Sequence, residues 1–99
     1  MRGSCLNCGL KHLAQASVLI DEARLGYPAH WYLACGHMAE AESELLNGYS
    51  GISVIIRNHR VKMMEGGIGE YTFEIMELIE LLISELLISE KGAINEEFR

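Results

Sequence analysis

Apolar residues recur every three or four positions along most of this chain, and that spacing is typical of helices that bury one face. One stripe lies between Cys8 and Arg24 and the next between Trp31 and Leu45. The first consists of Leu10, Leu13, Ala14, Ser17, Val18, Ile20 and Ala23, and the second of Trp31, Ala34, Met38, Ala41 and Leu45. The pattern predicts two amphipathic helices, at about residues 8–25 and 29–47.

Glycine and proline mark the connections between the predicted helices. Gly26 suits the left-handed conformation that ends a helix, and Pro28 suits the first turn of the next one. Because so short a connection reverses the chain, the first two helices should pack antiparallel. Gly48 ends the second helix, and Ser50 can cap a third.

The third segment allows two interpretations. Its apolar positions fall at helical spacing and predict a helix over residues 51–65. They are Ile52, Ile55, Ile56, His59 and Met63. A short strand over residues 52–56 is the rival, because β-branched residues favour strands. We prefer the helix because the spacing continues beyond the β-branched run.

The last segment, predicted as a helix at about residues 71–91, is apolar on more than one face. A small bundle buries only one face of such a helix, so the second face predicts self-association. A transmembrane span is the competing interpretation, but Glu74, Glu77, Glu80 and Glu85 would each be costly inside a bilayer. Residues 92–99 should form a frayed tail. The predicted fold is all-α, a small antiparallel bundle of three to four helices in one domain, residues 1–99, that self-associates through the C-terminal helix.

The composition limits the kinds of partner that the protein is expected to bind. The chain has eight Lys and Arg and fourteen Asp and Glu, which gives a net charge of −6. This negative charge argues against nonspecific binding to a nucleic acid duplex or an anionic membrane. Residues 1–4 lead directly into Cys5 without the apolar run of a secretory leader. We therefore expect a cytoplasmic protein, in which cysteines serve as thiols or metal ligands more often than as structural disulfides.

Cys5, Cys8 and His12 form the most informative cluster in the sequence. Their spacings of three and four residues place two thiols and an imidazole on one side of the start of the first helix. Thiolates and imidazoles are the ligands of tetrahedral zinc. The cluster predicts a structural zinc site that lacks its fourth ligand, while oxidation outside the cell would join Cys5 to Cys8.

The fourth ligand should come from the second helix. At 1.5 Å per residue, His12 should face the level of Ala41. His37 is the best chemical match for zinc but lies about one turn from that level, whereas Glu40 and Glu44 lie nearer. Without a metal, the cysteines are ordinary N-terminal residues and His12 contacts an acid such as Glu44.

Two further clusters carry possible chemistry. His37, Glu40 and Glu44 share a helix face and suit either a metal-dependent hydrolase or, as we prefer, a polar network neutralised by Arg57 and Arg60.

The second of these two clusters is the group of basic residues in the third helix. Arg57, His59, Arg60 and Lys62 predict a binding site for an anion such as phosphate, although such a run is more often a solvated face paired with local acids. No Gly-rich phosphate loop, nucleophile elbow or dinucleotide fingerprint occurs. Their absence argues against an enzyme, and we assign no catalytic residue.

Three stretches of the first half resemble a family of small helical proteins from tailed phages and prophages. They are Cys5-x2-Cys8-x3-His12, Gly26-Tyr-Pro28-x-His30 and Gly36-His37-Met-Ala-Glu40-Ala-Glu42. That family has no assigned activity, so the resemblance implies a phage origin and action inside the infected host cell but no catalytic residue.

These expectations combine into one functional prediction. A small, self-associating helical phage protein is similar in outline to anti-defence sponges, which trap nucleotide signals of host immunity. We therefore predict a non-catalytic homo-oligomeric binding protein that sequesters an anionic, nucleotide-like ligand. The alternatives are a small metal-dependent hydrolase with a His/Glu site and a helical adaptor that binds a host protein.

Overall fold

The computed structural model describes residues 5–69 and 71–97, with side chains as far as residue 88. Four helices follow one another: α1 at Leu6–Arg24, α2 at His30–Leu45, α3 at Ser50–Gly66 and α4 at Thr72–Glu97. No strand occurs in these ranges, so the all-α prediction is confirmed and the alternative strand over residues 52–56 is wrong.

The four helices pack as a central hairpin with one helix added to each member. α1 and α2 form the most extensive contact, α3 packs on α2, and α4 packs on α1. α3 and α4 have no comparable contact with each other within the described residues. One face of each outer helix is consequently left without a neighbour from its own chain.

The start of α1 is attached to the end of α2. Cys5 is the N-cap of α1, and its sulfur accepts a hydrogen bond from the Cys8 backbone N–H at 3.2 Å. The Cys5 backbone N–H donates to the Glu44 carbonyl oxygen at 3.1 Å. Gly9 lies one turn further along α1 and packs directly on Leu45, with no room for a Cβ atom. These contacts fix the register of the hairpin at its open end.

The connection between α1 and α2 reverses the chain within a few residues. The Tyr27 N–H donates to the Glu22 carbonyl oxygen at 3.1 Å, and Gly26 adopts φ 132°, the conformation expected from the sequence. The ring of His30 adds a contact from its Nδ1 to Glu22 Oε1 at 2.8 Å. The turn is therefore held by side chains as well as by the backbone.

The core confirms the stripe predicted for the second helix, all five residues of which are buried. Trp31 donates its indole N–H to the Met63 carbonyl oxygen at 2.9 Å, which attaches the end of α3 to the start of α2. In α1 the inward face is slightly rotated from the prediction, because Ala16 is buried while Ala14 and Val18 are exposed.

The inward face of α3 also differs from the prediction. Ser53 is buried, whereas Ile55 is exposed. The Ser53 hydroxyl donates to the Glu42 carbonyl oxygen at 2.8 Å. A small residue that forms this bond lets α3 approach α2 closely, which rotates Ile55 toward solvent.

α4 buries one face on α1 and exposes another. The buried residues are Ile75, Ile79, Leu82 and Leu86, and the exposed apolar residues are Phe73, Leu81, Leu87 and Ile88. The second apolar face predicted from the sequence is thus present, and no helix within the described ranges is long and apolar enough to cross a membrane. The backbone of α4 continues through Gly92 to Glu97, where the sequence predicted a tail. Alanine and glutamate favour helix enough to offset one glycine, which costs about 1 kcal/mol.

Candidate functional site

Cys5 and Cys8 lie together at the open end of the α1–α2 hairpin. Their sulfur atoms are at disulfide-bonding distance. A carboxylate oxygen of Glu44, from the last turn of α2, lies within 4.8 Å of both sulfurs. Within the described residues this is the one group of three metal-ligating side chains so close together. Its donors, two thiols and a carboxylate from two helices, suit a divalent cation when the thiols are reduced.

His12 and His37 contact each other across the same helix pair. Their Nδ1 atoms are 2.9 Å apart, with ring centroids 5.2 Å apart. In the neutral pair one ring nitrogen donates its proton and the other accepts it. Both rings are half-buried, so water has limited access to this contact.

The contact between His12 and His37 corrects the position that was predicted for His12 along the α1–α2 pair. The sequence placed His12 opposite Ala41, with His37 about one turn away, whereas the structure places His12 directly against His37. The prediction placed the end of α1 level with the start of α2. The observed contact instead offsets the two helices by four residues, from Ala41 to His37, or about 6 Å.

The four predicted zinc ligands form two pairs. Cys5 lies with Cys8, and His12 lies with His37. His12 follows Cys8 by four residues, a rise of about 6 Å along α1. Two nitrogens bound to one tetrahedral zinc at about 2.0–2.1 Å are roughly 3.3 Å apart. His12 and His37 also lie outside the close group of Cys5, Cys8 and Glu44, so the two pairs must approach each other, and the histidine rings separate slightly, before the four side chains can share a metal ion.

The hydrolase alternative depends on His12, His37, Glu40 and Glu44 acting together. Glu40 is exposed, and Glu44 lies beside the cysteines. His37 meets His12 rather than either acid in the contacts of its ring. His37, Glu40 and Glu44 therefore lie on one helix face, as predicted, but their side chains do not converge on a common point.

The basic cluster of α3 is divided among different neighbours. Arg60 donates from Nε and Nη2 to Glu42 Oε1 at 3.2 and 3.0 Å, so it neutralises an acid of α2 as the polar-network interpretation expected. The acid is Glu42 rather than Glu40 or Glu44. His59 donates from its Nδ1 to the Ile55 carbonyl oxygen of its own helix at 2.9 Å.

Arg57 and Lys62, the other two members of the cluster, are exposed. Neither forms an ion pair within the part of the chain that the structure describes. Lys62 lines a cavity of about 440 Å³ beside the glycine-rich connection of α3 and α4. A different cavity, of about 340 Å³, is lined by Arg60 together with its partner Glu42. The four residues thus do not surround one anion pocket.

Cys35 is the third cysteine and lies in the core. Burial raises the pKa of its thiol, and the positive charge of Arg60 opposes that effect only in part. It lies far along α2 from Glu44, and its neutral thiol packs as a small apolar side chain. The sequence offered a signal for this role, because Cys35 adjoins Ala34 on the buried stripe.

Sequence reasoning weighed Glu44 both as a candidate fourth ligand and as a metal-free partner for His12, but preferred His37 as the ligand on chemical grounds. The structure places the Glu44 carboxylate, rather than His37, beside Cys5 and Cys8. The N–H of Cys5 bonded to the Glu44 carbonyl oxygen draws the two helix ends together. No known protein family, curated protein or solved structure matches the chain. A functional assignment therefore depends on the geometry of these residues.

Proposed function

We propose that this protein is a non-catalytic helical binding protein whose first hairpin is closed by a zinc ion. The ligands are Cys5, Cys8, His12 and His37. The observation that supports the proposal best is the 2.9 Å approach of the two histidine Nδ1 atoms across the α1–α2 interface. It joins α1 and α2 about one helical turn from Cys8, so the histidine pair and the cysteine pair must approach each other to bind one metal ion.

The donor set favours a structural metal. Two thiolates and two imidazoles complete the tetrahedral coordination of zinc and leave no open position for a substrate. The start of α1 also favours negative charge, because its unpaired backbone N–H groups and the helix dipole stabilise the Cys5 thiolate. A chain of 99 residues has a small core, so a metal that joins two helices contributes appreciably to its stability.

Glu44 is the competitor for the fourth coordination position. Its carboxylate lies within 4.8 Å of both sulfurs, so it is placed either to bind the metal or to accept hydrogen bonds near it. Substitution separates these roles. We expect His37→Ala to lower zinc affinity far more than Glu44→Gln, whereas the reverse order would make Glu44 the ligand and His37 a neighbour.

The metal content of protein purified under reducing conditions, without a metal-affinity tag, tests the proposal. We expect one zinc per chain in the wild type and loss of that zinc in Cys8→Ser, together with a lower thermal midpoint. His59→Ala is the matched control, because its ring contacts only its own helix. Wild-type protein that is folded and stays metal-free after incubation with zinc would contradict the proposal.

The bound partner is a separate question. Sequestration of an anionic, nucleotide-like ligand by a phage protein stays a prediction. Arg57 and Lys62 carry exposed positive charge, although the basic cluster does not surround one pocket. A ligand that binds the native state raises the thermal midpoint. We expect Arg57→Ala to abolish any shift produced by a panel of nucleotides, and the absence of a shift in wild type would refute this ligand class.

A further inference from the structure

The exposed face of α4 combines large apolar residues with acids. Phe73, Leu81 and Ile88 are 59, 62 and 68% exposed, although the Arg24 guanidinium of α1 lies over the Phe73 ring, 5.0 Å from its centroid. The acids beside them are Glu74, Glu77, Glu80 and Glu85. None of these four glutamates forms an ion pair within the described residues. We refer to these seven residues as the α4 face.

The exposed face of α3 has the opposite charge. Val54, Val61 and Met64 are exposed apolar residues, and Arg57 and Lys62 lie among them without an ion pair. We refer to these five residues as the α3 face. Glu65, also exposed, lies at its end near the C-terminus of α3. The α3 face is thus positively charged in a protein with a net charge of −6.

From these two faces we infer an interface between copies of this chain, in which the α4 face of one copy packs on the α3 face of the next. Val54 and Val61 are seven residues apart, as are Leu81 and Ile88. A seven-residue repeat of apolar positions is the spacing with which two helices pack along a shared seam. The lysine and arginine then lie beside the glutamates, which orients the two helices.

Like-charged surfaces argue against the simpler arrangement in which α4 packs on α4. Four glutamates from each copy would then meet in one interface, and like charges brought together oppose association. The two faces also do not satisfy each other within one chain, since α3 packs on α2 and α4 on α1. An interface between two different surfaces is heterologous, so it builds a closed ring or an open chain of copies.

Charge reversal tests the interface. One variant carries Arg57→Glu and Lys62→Glu, which makes the α3 face acidic, and the other carries Glu77→Lys, Glu80→Lys and Glu85→Lys, which leaves Glu74 as the one acid of the α4 face and makes that face basic. Each variant brings like charges together in its own assembly, and we expect the association constant to fall at least about tenfold. When the two variants are mixed, the acidic α3 face of the first can pack on the basic α4 face of the second. The basic α3 face of the second can likewise pack on the acidic α4 face of the first. We therefore expect the mixture to regain the wild-type mass.

The readout is the mass measured by light scattering over a range of concentrations, with the far-UV circular dichroism spectrum as the check on folding. All five substituted residues are exposed, so the helices should be retained. Lys11→Glu, an exposed charge reversal on α1, is the matched control and should keep the wild-type mass. A chain carrying all five substitutions should also assemble.

Three results would overturn the inference. Wild type at 11.1 kDa at every concentration would show that the two faces do not join copies. An undiminished assembly of the Arg57→Glu, Lys62→Glu variant would assign the interface to α4 alone. A mixture of the two variants that stays monomeric would exclude the pairing of α3 with α4. Because zinc content is measured separately, each of these results leaves the zinc proposal unaffected.

Discussion

Replacing Gly9 by alanine should test the close contact that sets the register of α1 and α2. A Cβ atom at Gly9 would lie 2.7 Å from both Cγ and Cδ2 of Leu45 and 3.0 Å from its Cδ1. Leu45 is fully buried, and the branch of its side chain is involved as well as its tips. The leucine or the helix must therefore move, and overpacking of this kind costs about 1–3 kcal/mol.

Alanine also has a favourable effect in a helix, which must be separated from this cost. It stabilises a helix interior by about 1 kcal/mol relative to glycine. Gly36, within α2, is the matched control because nothing lies within 4 Å of its Cβ position. We expect Gly36→Ala to raise the free energy of unfolding by about 1 kcal/mol. Gly9→Ala should be less stable than Gly36→Ala by about 1–3 kcal/mol.

Urea denaturation followed by circular dichroism measures this difference. The protein should be reduced, treated with chelator and kept at one low concentration, so that neither zinc nor self-association changes the apparent stability. In thermal denaturation, each kcal/mol corresponds to about 4–8 °C for a domain of this size. Equal changes in the two variants would refute the close packing of Gly9 on Leu45, and with it the register that places Glu44 beside the cysteines.

Three other predictions concern the core and its boundary. Trp31→Phe should lower the free energy of unfolding by about 1–3 kcal/mol, because it removes the indole hydrogen bond to the Met63 carbonyl oxygen and leaves part of a fully buried site unfilled; an unchanged urea midpoint would contradict this. Arg60→Met should destabilise the protein more than Arg57→Met, since only Arg60 is paired with Glu42; equal midpoints would contradict it. Iodoacetamide should modify the Cys35 thiol far more slowly in native protein than in urea, because its raised pKa favours the neutral thiol; equal rates would show that it is accessible. The stability that this thiol contributes is complete below about pH 8.5 and is lost as pH rises through the raised pKa of the native state.

Local signals in the sequence were sufficient to predict the helices and the connections between them. Apolar spacing identified the buried stripe of α2, and Gly26 and Gly48 marked connections in which both adopt positive φ. The rotation of α3 was not predictable from spacing. It depends on the bond from Ser53 to the Glu42 carbonyl oxygen, a tertiary contact that favours a small polar residue at an inward position.

The candidate site was predictable in composition but not in arrangement. Chemistry selected Cys5, Cys8, His12 and His37, and the structure places them in two separate pairs, of which the cysteine pair lies at the open end of the hairpin and the histidine pair near the middle of α2. Their partners depended on the relative level of the two helices, which apolar spacing does not determine. The division of the basic cluster was also unpredictable, because the sequence did not show that Glu42 faces Arg60.

X-ray absorption at the zinc edge of the purified, reduced protein tests the central claim most directly, because it reports which atoms surround the metal. We predict a shell of two sulfur atoms at about 2.3 Å and two nitrogen atoms at about 2.0–2.1 Å. Extended fits should require imidazole rings, and His37→Ala should remove one of them. Zinc surrounded only by oxygen and nitrogen would contradict the account, because it would place the metal away from Cys5 and Cys8.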